Sequence, residues 1–163
     1  MDKVRIGIIG IGNMGSHHAK DIAAGEIPGG ELAAVCDCNP ERLEWAKETF
    51  GDKVKLFDNA EALLGSGAAD AIIIATPHYD HPTLAIKALN KNLHVLIEKP
   101  AGVYTGQVRE MNEAALKTDR VFGIMYNQRT NPLYRKVREM LRQGTLGEIK
   151  RINWIITASS ELL

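Results

Sequence analysis

The stretch KVRIGIIGIGNMGSHHAKDIAA, residues 3–24, decides the fold of this chain. Its apolar run from Val4 to Ile9 predicts a buried strand, the sequence GIGNMG that follows predicts a tight turn, and a helix-compatible segment comes next. This order of strand, glycine-rich turn and helix is the context in which G-x-G-x-x-G indicates a dinucleotide site. An acidic residue at the expected distance of about 20 residues, Asp37, completes the pattern.

Each glycine of the turn has a separate physical task. Gly10 permits the tight turn, Gly12 lets the main chain approach a pyrophosphate, and Gly15 lets the helix pack closely on the strand. The first helical turn, with Asn13 and Met14, then presents its unpaired amides and the positive end of the helix dipole to the bound anion. The alternative is a glycine-rich turn that binds no ligand.

The length and composition limit the possible classes of protein. A chain of 163 residues fits one domain, or one domain with an attached fragment, and is long enough to bury a core. Lys plus Arg and Asp plus Glu both number 20, so neither a nucleic-acid nor a membrane partner is predicted. The apolar runs are too short to span a bilayer, and the N-terminus lacks the layout of a signal peptide. A cytoplasmic location is therefore expected.

Two cysteines, Cys36 and Cys38, flank Asp37 at the end of a predicted strand. Their side chains are expected to point the same way, because residues two apart in a strand share a face. A zinc site would need two further soft ligands at suitable spacing, and the sequence offers no second pair. No metal site is predicted, and both cysteines are interpreted as reduced packing residues.

Strands alternate with helical segments through residue 143, which predicts an α/β fold with a doubly wound parallel sheet, the Rossmann fold. Gly144 and Gly147 then interrupt the pattern, and Glu148–Thr157 predicts a further strand, the first of a truncated second α/β domain. The predicted domains are 1–147, which binds the dinucleotide, and 148–163, the start of a substrate domain. The other predicted strands are Val4–Ile9, Glu31–Cys36, Lys55–Phe57, Ala71–Ile74, His94–Ile97 and Val121–Met125.

Ligands of an open doubly wound sheet bind at the carboxyl ends of its strands, where this sequence places its polar residues. Asp37 is expected to accept hydrogen bonds from the adenosine ribose. A 2′-phosphate about 4 Å away would be repelled by about 4 kcal/mol at an effective dielectric of about 20, so NAD is favoured over NADP. Arg42 either softens this discrimination or faces solvent. The other candidate cofactor contacts are Thr76, Pro77, His78, His81, Glu98, Lys99, Asn127 and Arg129.

Lys99 lies between Glu98 and Pro100 at the mouth of a buried strand and is the predicted catalytic residue. Beside the nicotinamide, its ammonium group would polarise a substrate carbonyl or help a hydroxyl lose its proton. Glu98 either orients Lys99 or holds the nicotinamide ribose. The alternative for Lys99 is an ion pair at the surface, which contributes little energy.

The histidines support no metal cluster, because their spacing does not bring several of them together. His17 and His18 lie in the first helix, where one is expected to pack and the other to face solvent. His78, at a strand end, is the histidine best placed to touch the cofactor. His81 begins the next helix and is included among the cofactor contacts, whereas His94 lies inside a strand and is expected to be structural.

Taken together, these stretches resemble the glucose–fructose oxidoreductase / inositol dehydrogenase / MocA family of NAD(P)-dependent oxidoreductases over essentially all of residues 1–157. The Glu98-Lys99-Pro100 tripeptide that follows a Thr-Pro-x-x-x-His segment is quite specific to that family, whereas the glycine pattern alone is not. The stretches that carry the resemblance are GIIGIGNMGSHHA (7–19), VCDCNPER (35–42), ATPHYDHPTLAIKAL (75–89), HVLIEKPAG (94–102) and GIMYNQRTNP (123–132).

The resemblance implies hydride transfer between nicotinamide and a hydroxyl of a sugar or polyol that binds between the Rossmann domain and a C-terminal α/β domain. It implies that Lys99 lies by the nicotinamide and that residues 126–129 line the same pocket. The family's general acid/base and its oligomer-forming sheet face would lie beyond Leu163. The present chain is therefore expected to bind NAD with little turnover, and the full-length form to be a homo-oligomer. Two other family activities stay open, an NAD-using glycosidase and a nucleotide-sensing regulator.

Overall fold

The computed structural model describes residues 3–155. The chain divides into two compact units, a first unit that ends at Met125 and a second unit that begins at Tyr126. The strands of the first unit are β1 (Val4–Ile9), β2 (Gly30–Cys36), β3 (Lys55–Phe57), β4 (Ala71–Ile74), β5 (His94–Ile97) and β6 (Phe122–Ile124). Its helices are α1 (Asn13–Ala23), α2 (Pro40–Phe50), α3 (Ala60–Gly65), α4 (His81–Asn90) and α5 (Thr105–Leu116), with a short 3₁₀ helix at Gly51–Lys53.

All six strands form one sheet in the order β3-β2-β1-β4-β5-β6, and every neighbouring pair is parallel. This is the strand order of the Rossmann fold, so the predicted doubly wound parallel sheet is confirmed. The strand order reverses between β1 and β4. Ligands of such sheets bind in the crevice at this reversal, outside the carboxyl ends of the strands.

Two apolar cores cover the two faces of the sheet, which explains why its central strands are continuous apolar runs rather than alternating ones. One core joins the sheet to α3, α4 and α5, and the other joins it to α1 and α2. β4 supplies both cores, since Ile72 and Ile74 belong to the first and Ile73 to the second.

Local signals in the sequence fix several helix ends. The Asn39 side chain accepts a hydrogen bond from the Glu41 amide at 2.9 Å, and Pro40 occupies the first turn of α2. After α4, Asn92 adopts a φ of +62°, a left-handed conformation that asparagine tolerates better than most residues. The sequence alone predicts both features, because Asn-Pro is a favoured helix start and asparagine is a favoured left-handed residue just after a helix. No helix in residues 3–155 is long and apolar enough to cross a membrane.

The second unit contains a 3₁₀ helix, Asn127–Arg129, and α6, Pro132–Arg142. Asn131 caps α6 by accepting a hydrogen bond from the Leu133 amide at 3.0 Å. The predicted strand Glu148–Thr157 is wrong for residues 148–155, which are irregular, while residues 156 and 157 lie outside the described range. A strand forms only where another strand pairs with it, and nothing in 3–155 pairs with this segment. The predicted division at residue 147 stays a prediction.

Met111→Ala is expected to destabilise the first unit by about 2–5 kcal/mol, because truncating a fully buried methionine removes apolar contacts and leaves a cavity. The Met111 side chain has 0% exposure in the core between α5 and the sheet. Urea denaturation followed by circular dichroism measures the loss. Leu116→Ala, in the same helix but at a residue 86% exposed, is the matched control and is expected to change stability by less than about 0.5 kcal/mol. Equal effects of the two substitutions would contradict the described core.

Candidate functional site

A crevice of about 550 Å³ lies at the carboxyl ends of β1, β2 and β4, where the strand order reverses. Its size is typical of a site for a small molecule or cofactor. The predicted cofactor residues that line it are Gly10, Gly12, Asp37, Thr76 and Pro77. The topology of the sheet therefore brings together residues from three separate parts of the sequence.

The three glycines of the turn differ sharply in the space around them. Gly10 has a φ of +85°, and a Cβ built on it would lie 2.8 Å from the main-chain nitrogen of Thr76. A Cβ on Gly15 would lie 1.8 Å from the carbonyl oxygen of Gly10. A Cβ on Gly12 would meet nothing within 4 Å among the described residues. The fold thus requires glycine at positions 10 and 15, whereas glycine at 12 leaves open space in the crevice.

The start of α1 is free to bind an anion. Gly12 is its N-cap residue, and within residues 3–155 no side chain forms a capping hydrogen bond there. Its first turn contains no acidic residue, and Asn13 and Met14 are both exposed there. The first amides of a helix lack partners inside the helix, and together with the helix dipole they attract a phosphate group.

The Asp37 carboxylate accepts hydrogen bonds both from the glycine turn and from the residue that caps α2. Its Oδ2 atom accepts a hydrogen bond from the Ile11 amide at 2.8 Å, and its Oδ1 atom accepts one from the Asn39 amide at 2.9 Å. An ionised carboxylate has about four acceptor positions, so each oxygen retains capacity for a ligand hydroxyl. Two main-chain amides therefore hold this side chain where it lines the crevice.

The two cysteines next to Asp37 have opposite environments. Cys36 is buried in the core, whereas Cys38 is exposed, and both thiols are free. Both cysteines line the crevice, and the expectation that their side chains point the same way stays a prediction. The interpretation of both as packing residues is wrong for Cys38, because that residue is exposed. Burial, and to a lesser extent the negative charge of Asp37, raises the pKa of the Cys36 thiol to about 12.

We expect only one of these thiols, Cys38, to react quickly with a disulfide reagent such as DTNB in the native protein at pH 8. The thiolate is the reactive form, and with a pKa of about 12 only about one Cys36 side chain in ten thousand carries it at that pH. Counting the released chromophore should give one thiol per native chain and two per denatured chain. Native Cys38→Ser is expected to release almost none, and a fast thiol in that variant would show that Cys36 is accessible.

A second group of polar residues surrounds Lys99, after β5. Glu98 as a whole residue is 6% exposed. Its Oε1 atom lies 2.8 Å from Nε2 of His18 on α1. Its Oε2 atom accepts a hydrogen bond from the Lys99 amide at 3.1 Å. The Lys99 side chain is exposed, and no carboxylate in residues 3–155 lies within 4 Å of its amino group. Glu98 therefore contacts the main chain of Lys99 and leaves the ammonium group available.

His81 and His78 lie close together but differ in exposure. His81 is completely buried, with Nδ1 2.8 Å from the carbonyl oxygen of Pro100 and Nε2 2.9 Å from that of Thr76. His78 is exposed, and its ring centre lies 5.8 Å from that of His81. Each ring nitrogen of His81 thus lies within hydrogen-bond distance of a main-chain carbonyl oxygen. The assignments of both histidines to the cofactor stay predictions.

The remaining candidate residues are Arg42, Asn127 and Arg129. Arg42 is exposed on α2. Asn127 and Arg129 belong to the second unit, where the Arg129 guanidinium lies 5.4 Å from the centre of the Tyr126 ring. Their assignments to the cofactor also stay predictions. Within residues 3–155, no group of three or more His, Cys, Asp or Glu side chains is placed to hold a metal ion.

Sequence reasoning missed the partner of His18. The expectation that one histidine of α1 packs and the other faces solvent is confirmed, since the His18 side chain is only 17% exposed and His17 is exposed. Helical spacing after Gly15 gives a signal for this, because His18 precedes the buried residues Ala19 and Ile22 on α1. Its contact with Glu98, which is 80 positions away, has no local signal.

The parallel sheet, the open turn at Gly12, the uncapped start of α1 and the carboxylate of Asp37 define a dinucleotide-binding protein of the Rossmann class. The comparison with known families is more specific. Residues 4–126 match the model of the glucose–fructose oxidoreductase / inositol dehydrogenase / MocA family, described as an oxidoreductase family with an NAD-binding Rossmann fold. The chain belongs to this family.

Individual relatives support the same assignment. The chain is 32% identical over 148 residues to inositol 2-dehydrogenase 1 of Paenarthrobacter aurescens, covering 90% of this chain and 43% of the relative. It is 31% identical over 150 residues to the rhizopine catabolism protein MocA of Rhizobium meliloti, covering 91% and 45%. The chain therefore spans less than half the length of these relatives.

Solved structures agree in fold. The scyllo-inositol dehydrogenase of Lactobacillus casei, solved with bound NAD(H) and scyllo-inositol, superposes with a TM-score of 0.84 at 29% identity, covering 91% of this chain and 43% of that one. The WlbA dehydrogenase of Bordetella pertussis, solved with NADH and UDP-GlcNAcA, gives 0.80 at 31% identity, covering 87% and 43%.

Proposed function

We propose that this chain is the NAD-binding part of a dehydrogenase that moves a hydride between nicotinamide and a hydroxyl-bearing carbon of a sugar or polyol. The observation that carries the proposal is the open space at Gly12. Gly12 is the N-cap residue at the uncapped start of α1, and it lines the same crevice as Asp37. The printed names of the relatives, inositol dehydrogenases among them, support the substrate class.

In this proposal each residue has one task. The amides at the start of α1 bind the pyrophosphate beside Gly12, and Asp37 accepts hydrogen bonds from the adenosine ribose. Bound NAD supplies the hydride acceptor. The Lys99 ammonium group polarises the oxygen of the substrate and stabilises the negative charge that develops there when the hydroxyl loses its proton. Glu98 fixes the main chain from which Lys99 extends.

Asp37 is proposed to favour NAD over NADP. Its carboxylate is held by the Ile11 and Asn39 amides, so it cannot swing away from an incoming 2′-phosphate without breaking both hydrogen bonds. A 2′-phosphate about 4 Å from this carboxylate would be repelled, and Arg42, which is exposed on α2, is the residue that would soften this discrimination.

The whole enzyme is proposed to act in the cytoplasm as a homo-oligomer that uses no nucleic-acid partner. The net charge of zero supports the last point, because nucleic-acid-binding proteins present basic surfaces. Residues 1–163 alone are proposed to bind NAD with little or no turnover. Support comes from the relatives, which are more than twice as long as the part that matches.

Gly12→Ala is expected to weaken NAD binding at least about tenfold without unfolding the chain, because the added methyl group has room in the protein but occupies the space of the pyrophosphate. Calorimetric titration with NAD measures the affinity, and circular dichroism measures the fold. In the same titration, wild type is expected to bind NADP at least about tenfold more weakly than NAD.

Gly65→Ala is the control for this experiment, since Gly65 is an exposed helical residue with equally open surroundings. It is expected to bind NAD as wild type does. NAD binding by Gly12→Ala at wild-type strength would place the cofactor elsewhere, and the absence of NAD binding by wild type would refute the proposed function. Cofactor that stays bound through purification, with no net NADH formed by the whole enzyme, would favour the glycosidase alternative.

A further inference from the structure

We propose that His18 and His81 are positioning residues that hold the Glu98-Lys99-Pro100 segment from two sides and so fix the direction of the Lys99 side chain. The inference rests on the proposed function, because that function gives Lys99 its task. His18 belongs to α1 and His81 to α4, so the segment is attached to helices on opposite faces of the sheet.

The first attachment runs from His18 through Glu98 to Lys99. A carboxylate only accepts hydrogen bonds, so the 2.8 Å contact requires a proton on Nε2 of His18, which donates to Oε1 of Glu98. The other oxygen of Glu98 accepts the Lys99 amide at 3.1 Å. Both side chains are largely buried, at 17% exposure for His18 and 8% for Glu98, so water competes weakly for these bonds.

The second attachment runs through His81, which bridges the main chain after β4 to the main chain after β5. Nδ1 lies 2.8 Å from the carbonyl oxygen of Pro100, and Nε2 lies 2.9 Å from that of Thr76. The neutral ring carries one N–H and donates to one of these oxygens at a time, and it donates to both only when both nitrogens are protonated. In either protonation form the buried ring lies between the main chain after β4 and the main chain after β5.

The segment needs these attachments because the sheet ends just before it. The Glu98 amide donates to the carbonyl oxygen of Ile74 at 2.8 Å, and α5 begins only at Thr105. Within residues 3–155, the only hydrogen bonds made by the main chain of Lys99 and Pro100 are those to Glu98 and His81. Loss of either histidine therefore removes a large share of what orders this segment.

The sequence provides a matched control for each histidine. His17 adjoins His18 on α1 but is exposed, and His78 lies three residues before His81 and is also exposed. Alanine at either control position removes the same imidazole group without removing a hydrogen bond to the segment, and at position 78 it also removes the ring that lies 5.8 Å from that of His81. His18→Gln is a conservative variant, because its side-chain amide donates a hydrogen bond from a position similar to Nε2.

The first experiment needs no cofactor and measures hydrogen exchange at the Lys99 amide by NMR. His18→Ala and His81→Ala are expected to accelerate this exchange at least about tenfold, because each releases the segment. His17→Ala, His78→Ala and His18→Gln are expected to exchange as wild type does. Should the fully buried His81 not tolerate alanine, the pair His18→Ala and His17→Ala still decides the result. Unchanged Lys99 exchange in His18→Ala would overturn the proposal.

The second experiment separates positioning from general stability. Reductive methylation with ¹³C-formaldehyde labels the lysines, and Lys99→Arg identifies the Lys99 signal. NAD is expected to shift this signal in wild type, whereas in His18→Ala the shift should fall to less than about half although NAD affinity stays within about threefold. An equal shift in His18→Ala would overturn the positioning role. If wild type bound no NAD, the proposed function would fail, and the exchange experiment would still decide the attachment of the segment.

Discussion

Gly15→Ala is expected to destabilise the first unit by about 4 kcal/mol or more, one of the largest effects that a single methyl group can have. The added Cβ would lie 1.8 Å from the carbonyl oxygen of Gly10 and 2.9 Å from its carbonyl carbon. Both atoms are main chain in the turn between β1 and α1, so no side-chain rotation relieves the clash. The helix must move off the sheet, and the buried residues Ala19 and Ile22 move with it.

Thermal denaturation followed by circular dichroism tests this expectation. For a chain of this size, 4 kcal/mol corresponds to a fall in Tm of roughly 10 °C or more. Gly65→Ala makes the same chemical change in a helix with open surroundings, and it is expected to leave stability equal or higher by up to about 1 kcal/mol. If Gly15→Ala had the same Tm as Gly65→Ala, the described close approach of α1 to the turn after β1 would be wrong.

The doubly wound parallel sheet was predictable because the sequence signals for its strands are local. The run Ala71–Ile74 consists of residues that favour a strand buried on both faces, and it forms β4 at the centre of the sheet. Asn39-Pro40 gave the start of α2 for an equally local reason, since the cap and the proline act within one turn.

Features that depend on distant partners were not predictable. Residues 148–155 contain apolar residues suited to a strand, but a strand also needs a neighbour to pair with. The same limit applies to the site. The turn at Gly10 and the acid at Asp37 are specified by spacing, whereas the contact of His18 with Glu98 depends on where α1 and β5 meet in space. The sequence therefore predicted residues that line one crevice, but it did not predict the contact between His18 and Glu98.

Lys99→Ala is expected to lower turnover of the whole enzyme at least about 100-fold while NAD affinity stays within about threefold of wild type. The reason for the loss is that the exposed ammonium group would no longer polarise the oxygen of the substrate. The reason for retained binding is that the groups proposed to bind the cofactor, around Gly12 and Asp37, lie at other strand ends. NADH absorbance with inositol isomers as trial substrates measures turnover, and titration measures NAD affinity.

Lys91→Ala is the matched control, because Lys91 is an exposed lysine at the end of α4, beside the amino end of β5 rather than its carboxyl end. It is expected to retain wild-type turnover. A Lys99→Ala enzyme as active as Lys91→Ala would remove Lys99 from the chemistry, and one that lost NAD affinity in proportion to turnover would assign it to cofactor binding. A loss confined to kcat is the result expected of a group whose charge acts on the reacting oxygen, because such an interaction is stronger in the transition state than in the bound substrate.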